Sequence, residues 1–423
     1  MPYWGAEVVE SLRERYQRAS CRVTVTHIKF NHTPTSLTAD AFNIRVNANE
    51  EVLVPEWKLG LRAPEDSKAA YAIEETTNRV VTIQCRFTIS PKTTTRARVK
   101  AAGGGLLGRI DPIEVTFVNG VSRDTSHGGD PEYVEIPLRH RSFKSIDRQD
   151  VSWVWYYRCP CDRCWRSIPQ TTRHRIYVTL RAPPEPWSQT IPHNYPWTWA
   201  LDYAIDSAAT RGLTDEKTAA TRIVQHVYGE PLAYDIWHGA PKYYSSGMFE
   251  ISAWLGGFTN GPIVNCYDCA SAVTTFGNVV GARLQYNFHQ PFGYLEPVFP
   301  IGRGECNNPF YGTAPPPYNV PLVAQNDPGR TRFGNHAYAK TVADQNDFDA
   351  CMKALAKPFG LIDILLIILV LLGIANWSTR RQLFQRMGWL VDLPQPAYQN
   401  AVLDAALGPP TGVPVGQSLD LSP

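Results

Sequence analysis

The chain has little charge and almost none of it net. Only 19% of its 423 residues are charged, and 41 basic against 39 acidic side chains leave a formal +2. Such a balance does not predict an electrostatic nucleic-acid surface, so nucleic acid is not expected as a partner. An apolar content of 43% excludes a generally disordered chain. Residues 1–20 lack the apolar stretch of a signal peptide, which makes a reduced, cytoplasmic setting the expectation. No G-x-x-x-x-G-K-[ST] loop, H-E-x-x-H or EF-hand pattern occurs. No cofactor is therefore expected.

What the chain does have is proline (34), tyrosine (20) and tryptophan (12). These favour strands, loops and aromatic packing over a helical bundle. Period-two alternation marks strands at 21–31, 79–89, 114–118, 133–138, 151–157 and 173–181. After an N-terminal helix or arm over 1–20, residues 21–183 thus read as an all-β, sandwich-like region. The stretch Ala101–Gly105 reads as a flexible turn. Ala182-Pro-Pro-Glu-Pro-Trp187 marks a rigid connector. Beyond it the period changes to helical at 197–209 and 215–228, with Gly229 as a stop. Residues 188–357 read as a mixed α/β domain, giving an α+β chain overall.

Residues 359–377 form the most apolar run, interrupted by Asp363 and followed by Arg380-Arg381. Two readings stay open: a membrane span or anchor, and a buried or oligomer-interface helix. In the C-terminal segment, 378–423, residues 401–423 read as a frayed tail.

The densest chemical signal is Asn265-Cys266-Tyr267-Asp268-Cys269-Ala270, leading into small and apolar residues that suit a buried helix. Asn265 would cap it and set Cys266 in its first turn, where unpaired amides favour a thiolate. Seventy residues on stands His336, and thirteen beyond it Asp349. Two adjacent antiparallel strands would put that pair side by side, with the helix start against them. Nucleophile, base and orienter in this arrangement perform acyl transfer through a thioester. Cys269 and Cys351 are assigned to packing, and Asp268 to a structural acceptor role. For an oxyanion hole the Cys266 amide is the first donor, with Trp254 and Asn335 as weak side-chain candidates. The long Pro/Gly/Asn-rich excursion 288–332 would wall the cleft.

These motifs resemble those of the transglutaminase-like superfamily, related in mechanism to papain-type enzymes. The first is Cys266, Asp268, Ala270, Gly281 and Arg283, the second His336-Ala337-Tyr338, the third Phe348-Asp349-Ala350. The resemblance covers about residues 190–355 and implies a bacterial-type member with a preceding β region. It implies a papain-like core, a protein or peptide substrate, and a Cys266, His336, Asp349 triad. Two positions depart from the family: no proline follows Gly281, and Tyr338 replaces its usual tryptophan. Hydrolysis is the expected outcome, with glutamine crosslinking or an inactive protein-binding scaffold as alternatives. A minor reading concerns Cys159, Cys161 and Cys164, a compact set that would need a fourth ligand such as Cys306, His174 or His140 to hold zinc.

Overall fold

Strand β1 (Arg22–Lys29) shows how the β region is built. Val23 and Val25 point inward at period two, which would turn the next apolar residue, Ile28, outward. A bulge between Val25 and His27 absorbs the extra residue and returns Ile28 to the core. In the computed structural model, which describes residues 21–33, 40–160, 162–354, 392–407 and 414–422, the chain is α+β and divides into two compact units, Met1–Ala182 and Pro183–Pro423. The N-terminal arm 1–20 and the apolar run 359–377 lie outside the described residues. Among those described, no helix is long and apolar enough to cross a membrane.

The first unit adds β2 (Trp57–Lys58), β3 (Lys68–Ala72), β4 (Thr82–Ser90), β5 (Arg96–Gly103), β6 (Ile110–Val118), β7 (Val121–Arg123), β8 (Val134–Pro137), β9 (Asp147–Arg158) and β10 (Arg166–Thr179). The expected all-β region is present, built on one ten-stranded sheet ordered β2-β1-β4-β7-β6-β5-β9-β10-β3, with β8 on β4. The sheet curls into a half-barrel. Strands β1 and β10 stand near opposite ends of that order, yet Gln170 Nε2 on β10 donates to the Val25 carbonyl at 2.7 Å. Val151, Trp153, Trp155 and Tyr157 alternate inward along β9. Their polar ends are satisfied: Trp153 on the Gly108 carbonyl, Trp155 on Thr172 and Tyr157 on the Cys21 carbonyl. The glycines expected to form a flexible turn are tightly held. Gly104, at φ 92°, lies so close to the Trp153 indole that a side chain there would collide with it.

In the second unit, α1 (Glu216–Gly229) starts at Asp215, whose carboxylate accepts from Thr218 N at 2.8 Å. It buries Ala219, Ala220, Ile223, Val224 and Val227. Helix α2 (Cys266–Val279) is buried on nearly every side and packs against α1 and a five-stranded antiparallel sheet. Small residues at 270, 271, 272 and 277 allow that close approach. The unit's strands include β11 (Tyr244–Ser245), β12 (Met248–Glu250), β13 (Leu284–His289), β14 (His336–Thr341), β15 (Asn346–Phe348), β16 (Asp392–Pro394), β17 (Val415–Gln417) and β18 (Asp420–Ser422). The five-stranded order is β16-β15-β14-β13-β17, and a smaller sheet runs β11-β12-β18. The frayed C-terminal tail is thereby corrected. Residues 415–417 and 420–422 are paired strands, and Leu419 between them is buried. Helix α3 (Gln395–Val402) precedes them.

Candidate active site

The start of α2 is fixed by reciprocal capping. Asn265 Oδ1 accepts from Tyr267 N at 2.9 Å and Asp268 N at 3.3 Å, while Asp268 Oδ2 accepts from Asn265 N at 3.0 Å. Asn265 Nδ2 donates in turn to the Gly239 carbonyl at 2.7 Å. Asp268 also accepts from Lys242 N at 2.9 Å and Tyr243 N at 2.7 Å. Burial lifts its carboxyl to about 6 against the pull of these donors. Cys266 is thus the first residue of a capped helix, only 3% exposed, with its thiol not in a disulfide.

Strands β14 and β15 pair antiparallel, with Ala339 opposite Phe348 and Lys340 opposite Asp347. This brings His336, at the head of β14, to Asp349, just past β15. Both are buried, and His336 Nε2–H donates to Asp349 Oδ2 at 2.9 Å. Asp349 is held in place by three further donors. Oδ1 accepts from Cys351 N at 2.7 Å and Met352 N at 3.2 Å, and Oδ2 from the Tyr398 hydroxyl at 2.6 Å. With Nε2 committed, Nδ1 is the ring atom left for the thiol. His336 Nδ1 is buried with no hydrogen-bond partner, and Cys266 lies near enough to favour charge on the ring. Burial, the largest influence on His336, opposes its charge. The charge and hydrogen bond of Asp349, with Cys266 adding to them, outweigh it and raise the imidazole to about 9. Phe292 and Phe333 pack on the ring at centroid distances of 4.7 and 5.5 Å. Phe292 comes from the start of the 288–332 excursion and Phe333 directly follows its end.

The other two thiols nearby are different. Cys269 and Cys351 are fully buried and hydrogen-bonded to each other. That bond lowers Cys269, but burial and the charges of Asp268 and Asp349 prevail and raise it. Cys351 is pushed well up, chiefly by burial. Trp254 lies in an aromatic cluster with Tyr243, Phe249 and Phe258, and its indole N–H donates to the Tyr203 hydroxyl at 3.4 Å. Asn335 Oδ1 accepts from the Tyr267 hydroxyl at 2.9 Å. The residue after Cys266 and the residue before His336 are therefore tied together.

Tyr267 also lines a cavity of about 470 Å³ with Pro241, Tyr244, Ser246, Phe288 and Gln417. This is a size suited to a ligand. Tyr244, Tyr267 and Phe288 stack along it, and the buried Tyr286 continues the stack behind Tyr244, with neighbouring centroids 5.2–5.9 Å apart.

The minor zinc reading is corrected. Cys159 is disulfide-bonded to Cys21, 138 residues away, so its sulfur is no thiolate ligand. Cys164 is exposed, and Cys161 lies outside the described residues. Of the suggested fourth ligands, His140 bonds Asp111, His174 bonds Ser67, and Cys306 belongs to the second unit. Among the described residues no group of three or more ligating side chains forms. Tyr398 and Gln417 carry no motif in the sequence. Only the folding back of the segment beyond 391 reveals them.

No family model and no curated protein matches the sequence. Among solved structures, red sea bream transglutaminase matches with 9% identity and a TM-score of 0.36, over 64% of this chain and 48% of that one. The likeness is remote, and this chain spans about half the length of that structure.

Proposed function

We propose that the chain is a cysteine enzyme of transglutaminase-like type that performs acyl transfer at an amide, with hydrolysis as the principal outcome. The observation that carries the reading is the buried His336–Asp349 pair at 2.9 Å, in interaction with Cys266 at the first position of a capped helix. Sγ of Cys266 attacks the amide carbonyl, forming the C–S bond, and the backbone amide of Cys266 itself, the one first-turn N–H not taken by the Asn265 cap, donates to the oxyanion. Trp254, whose N–H serves Tyr203, is left out of that role. Collapse of the tetrahedral species breaks the C–N bond as protonated His336 gives its proton to the leaving amine. Water then attacks the thioester, passing a proton to His336, and the acid leaves as the thiolate returns. An amine in place of that water would give a crosslink. Water is favoured because it needs no second binding site.

Alkylation with iodoacetamide followed by peptide mapping tests the nucleophile. Cys266 is expected to react at least about tenfold faster than Cys269 or Cys351, whose thiols burial holds protonated. Equal labelling of the three would sink the assignment. Cys266→Ala is expected to abolish release of amine from peptide amides, and unchanged release would do the same. With a primary amine present, mass analysis of the product separates hydrolysis from crosslinking.

A further inference from the structure

Strand β13 has β14 on one side and β17, from the C-terminal segment, on the other. The pairing with β17 is antiparallel and short: Tyr286 opposite Gln417, Asn287 opposite Gly416 and Phe288 opposite Val415. Three residues later β18 pairs in parallel with β12, from Met248 opposite Asp420 to Glu250 opposite Ser422. The segment therefore crosses from one sheet edge to another, and on the way Gln417 forms part of the cavity wall beside Tyr267. Very little holds it. Val415 is 59% exposed, residues 416–418 are exposed as well, and Leu419, at 5%, is the buried apolar anchor. A segment secured by a few main-chain pairings, one buried side chain and the half-buried Leu421 is among the least costly parts of a fold to detach.

The edge it covers leads to the reacting groups. His289, the next residue along β13, is the register partner of His336 on β14. A chain following β17 toward its N-terminus thus runs toward the imidazole. Pairing an extended segment to an exposed edge, with side chains dropping into an adjacent pocket, is how many proteins bind peptides.

We propose that the outer edge of β13, with the cavity between Tyr244 and Tyr267, is a binding site for an extended peptide segment, and that residues 415–422 occupy it in cis as a displaceable strand. That the visiting peptide is a substrate rests on the reading of Cys266, His336 and Asp349 given above. The binding site itself does not.

The test uses the full chain carrying Cys266→Ala, so that turnover plays no part, and a fluorescein-labelled octapeptide, VGQSLDLS, matching residues 415–422. Leu419→Asp removes the anchor, and Gly416→Pro removes an N–H and crowds the Gln285 side chain. Each is expected to bind the peptide at least about tenfold more tightly than the parent by fluorescence anisotropy, because the edge is vacated. Equal affinity in the parent and both folded variants overturns the proposal. Hydrogen exchange on the unaltered chain serves even if both variants misfold. Amides of 415–417 should exchange at least about 100-fold faster than those of β14, through local opening. Exchange of both strands at one common rate overturns it. Amine release at Cys266 enters neither readout, so failure here is distinct from failure of the enzyme reading.

Discussion

Each unit buries a histidine in an aromatic cage, and the two are opposite reagents. His174, in the half-barrel, is fully buried with Phe30 at 4.8 Å and Trp153 at 5.4 Å, and its Nδ1 meets the Ser67 hydroxyl at 2.8 Å. Burial alone drives it down to about 3. His336 is as deeply buried, with Phe292 at 4.7 Å and Phe333 at 5.5 Å, yet stands at about 9. The main difference is one carboxylate, to which Cys266 adds. His174 has a hydroxyl on one ring nitrogen and no hydrogen-bond partner on the other, so burial goes unopposed, whereas Asp349 overrides the desolvation penalty and holds the His336 proton. Depth of burial therefore says little about a histidine's role until its partner is named.

The largest way to break this contrast is Asp349→Asn. Losing the charge should turn His336 into a second His174, neutral below the ordinary 6.5 by NMR titration, and lower turnover by about 10³–10⁴-fold. A His336 still protonated at pH 8 in that variant would show that Asp349 is not the cause. The second approach is through stability against pH. His174 is depressed in the fold, so its neutral form supports folding above 6.5, and that support is lost as pH falls from 6.5 toward 3. His336 is raised, so its contribution is complete below 6.5 and is lost as pH rises through about 9. His174→Gln should cost about 1–3 kcal/mol at neutral pH, flatten the loss on the acid side, and leave amide turnover unchanged. A fall in turnover would deny that His174 is purely structural. The smallest expected effect is that of Tyr398→Phe, which removes the 2.6 Å donor to Asp349. It should cost about 1 kcal/mol in denaturant unfolding and lower kcat severalfold with KM unchanged. A change in KM alone would place Tyr398 in substrate binding instead.

How much could be read from the sequence follows from how local each interaction is. The start of α2 is legible because Asn265 and Asp268 lie three residues apart and cap one another. The meeting of His336 and Asp349 is legible because a thirteen-residue spacing suits two short strands and a turn. Their catalytic roles remain the proposal made above. What could not be read is non-local. Tyr398 reaches Asp349 across 49 residues, and Cys21 reaches Cys159 across 138. Neither partner carries a pattern that marks it. Residues 415–422 are short, polar and rich in small side chains, and they become strands only because exposed edges of β13 and β12 receive them. Propensity was overruled there by tertiary pairing. The strand order of the half-barrel was not legible for a related reason. Alternation identifies strands but not which strand neighbours which, and the curl of the sheet depends on contacts such as Gln170 with Val25.

The carboxylate of Asp268 has a mechanical consequence. One oxygen pair grips the helix that begins with Cys266 and also the backbone of Lys242 and Tyr243, which stand between two cavity residues, Pro241 and Tyr244. The cavity wall and the start of the helix that carries the Cys266 sulfur are thus tied to a single carboxylate. On the reading proposed above, an occupant that shifted the wall would also move the thiol, and the fit of a peptide some distance from its reacting bond would then set the pace of the reaction.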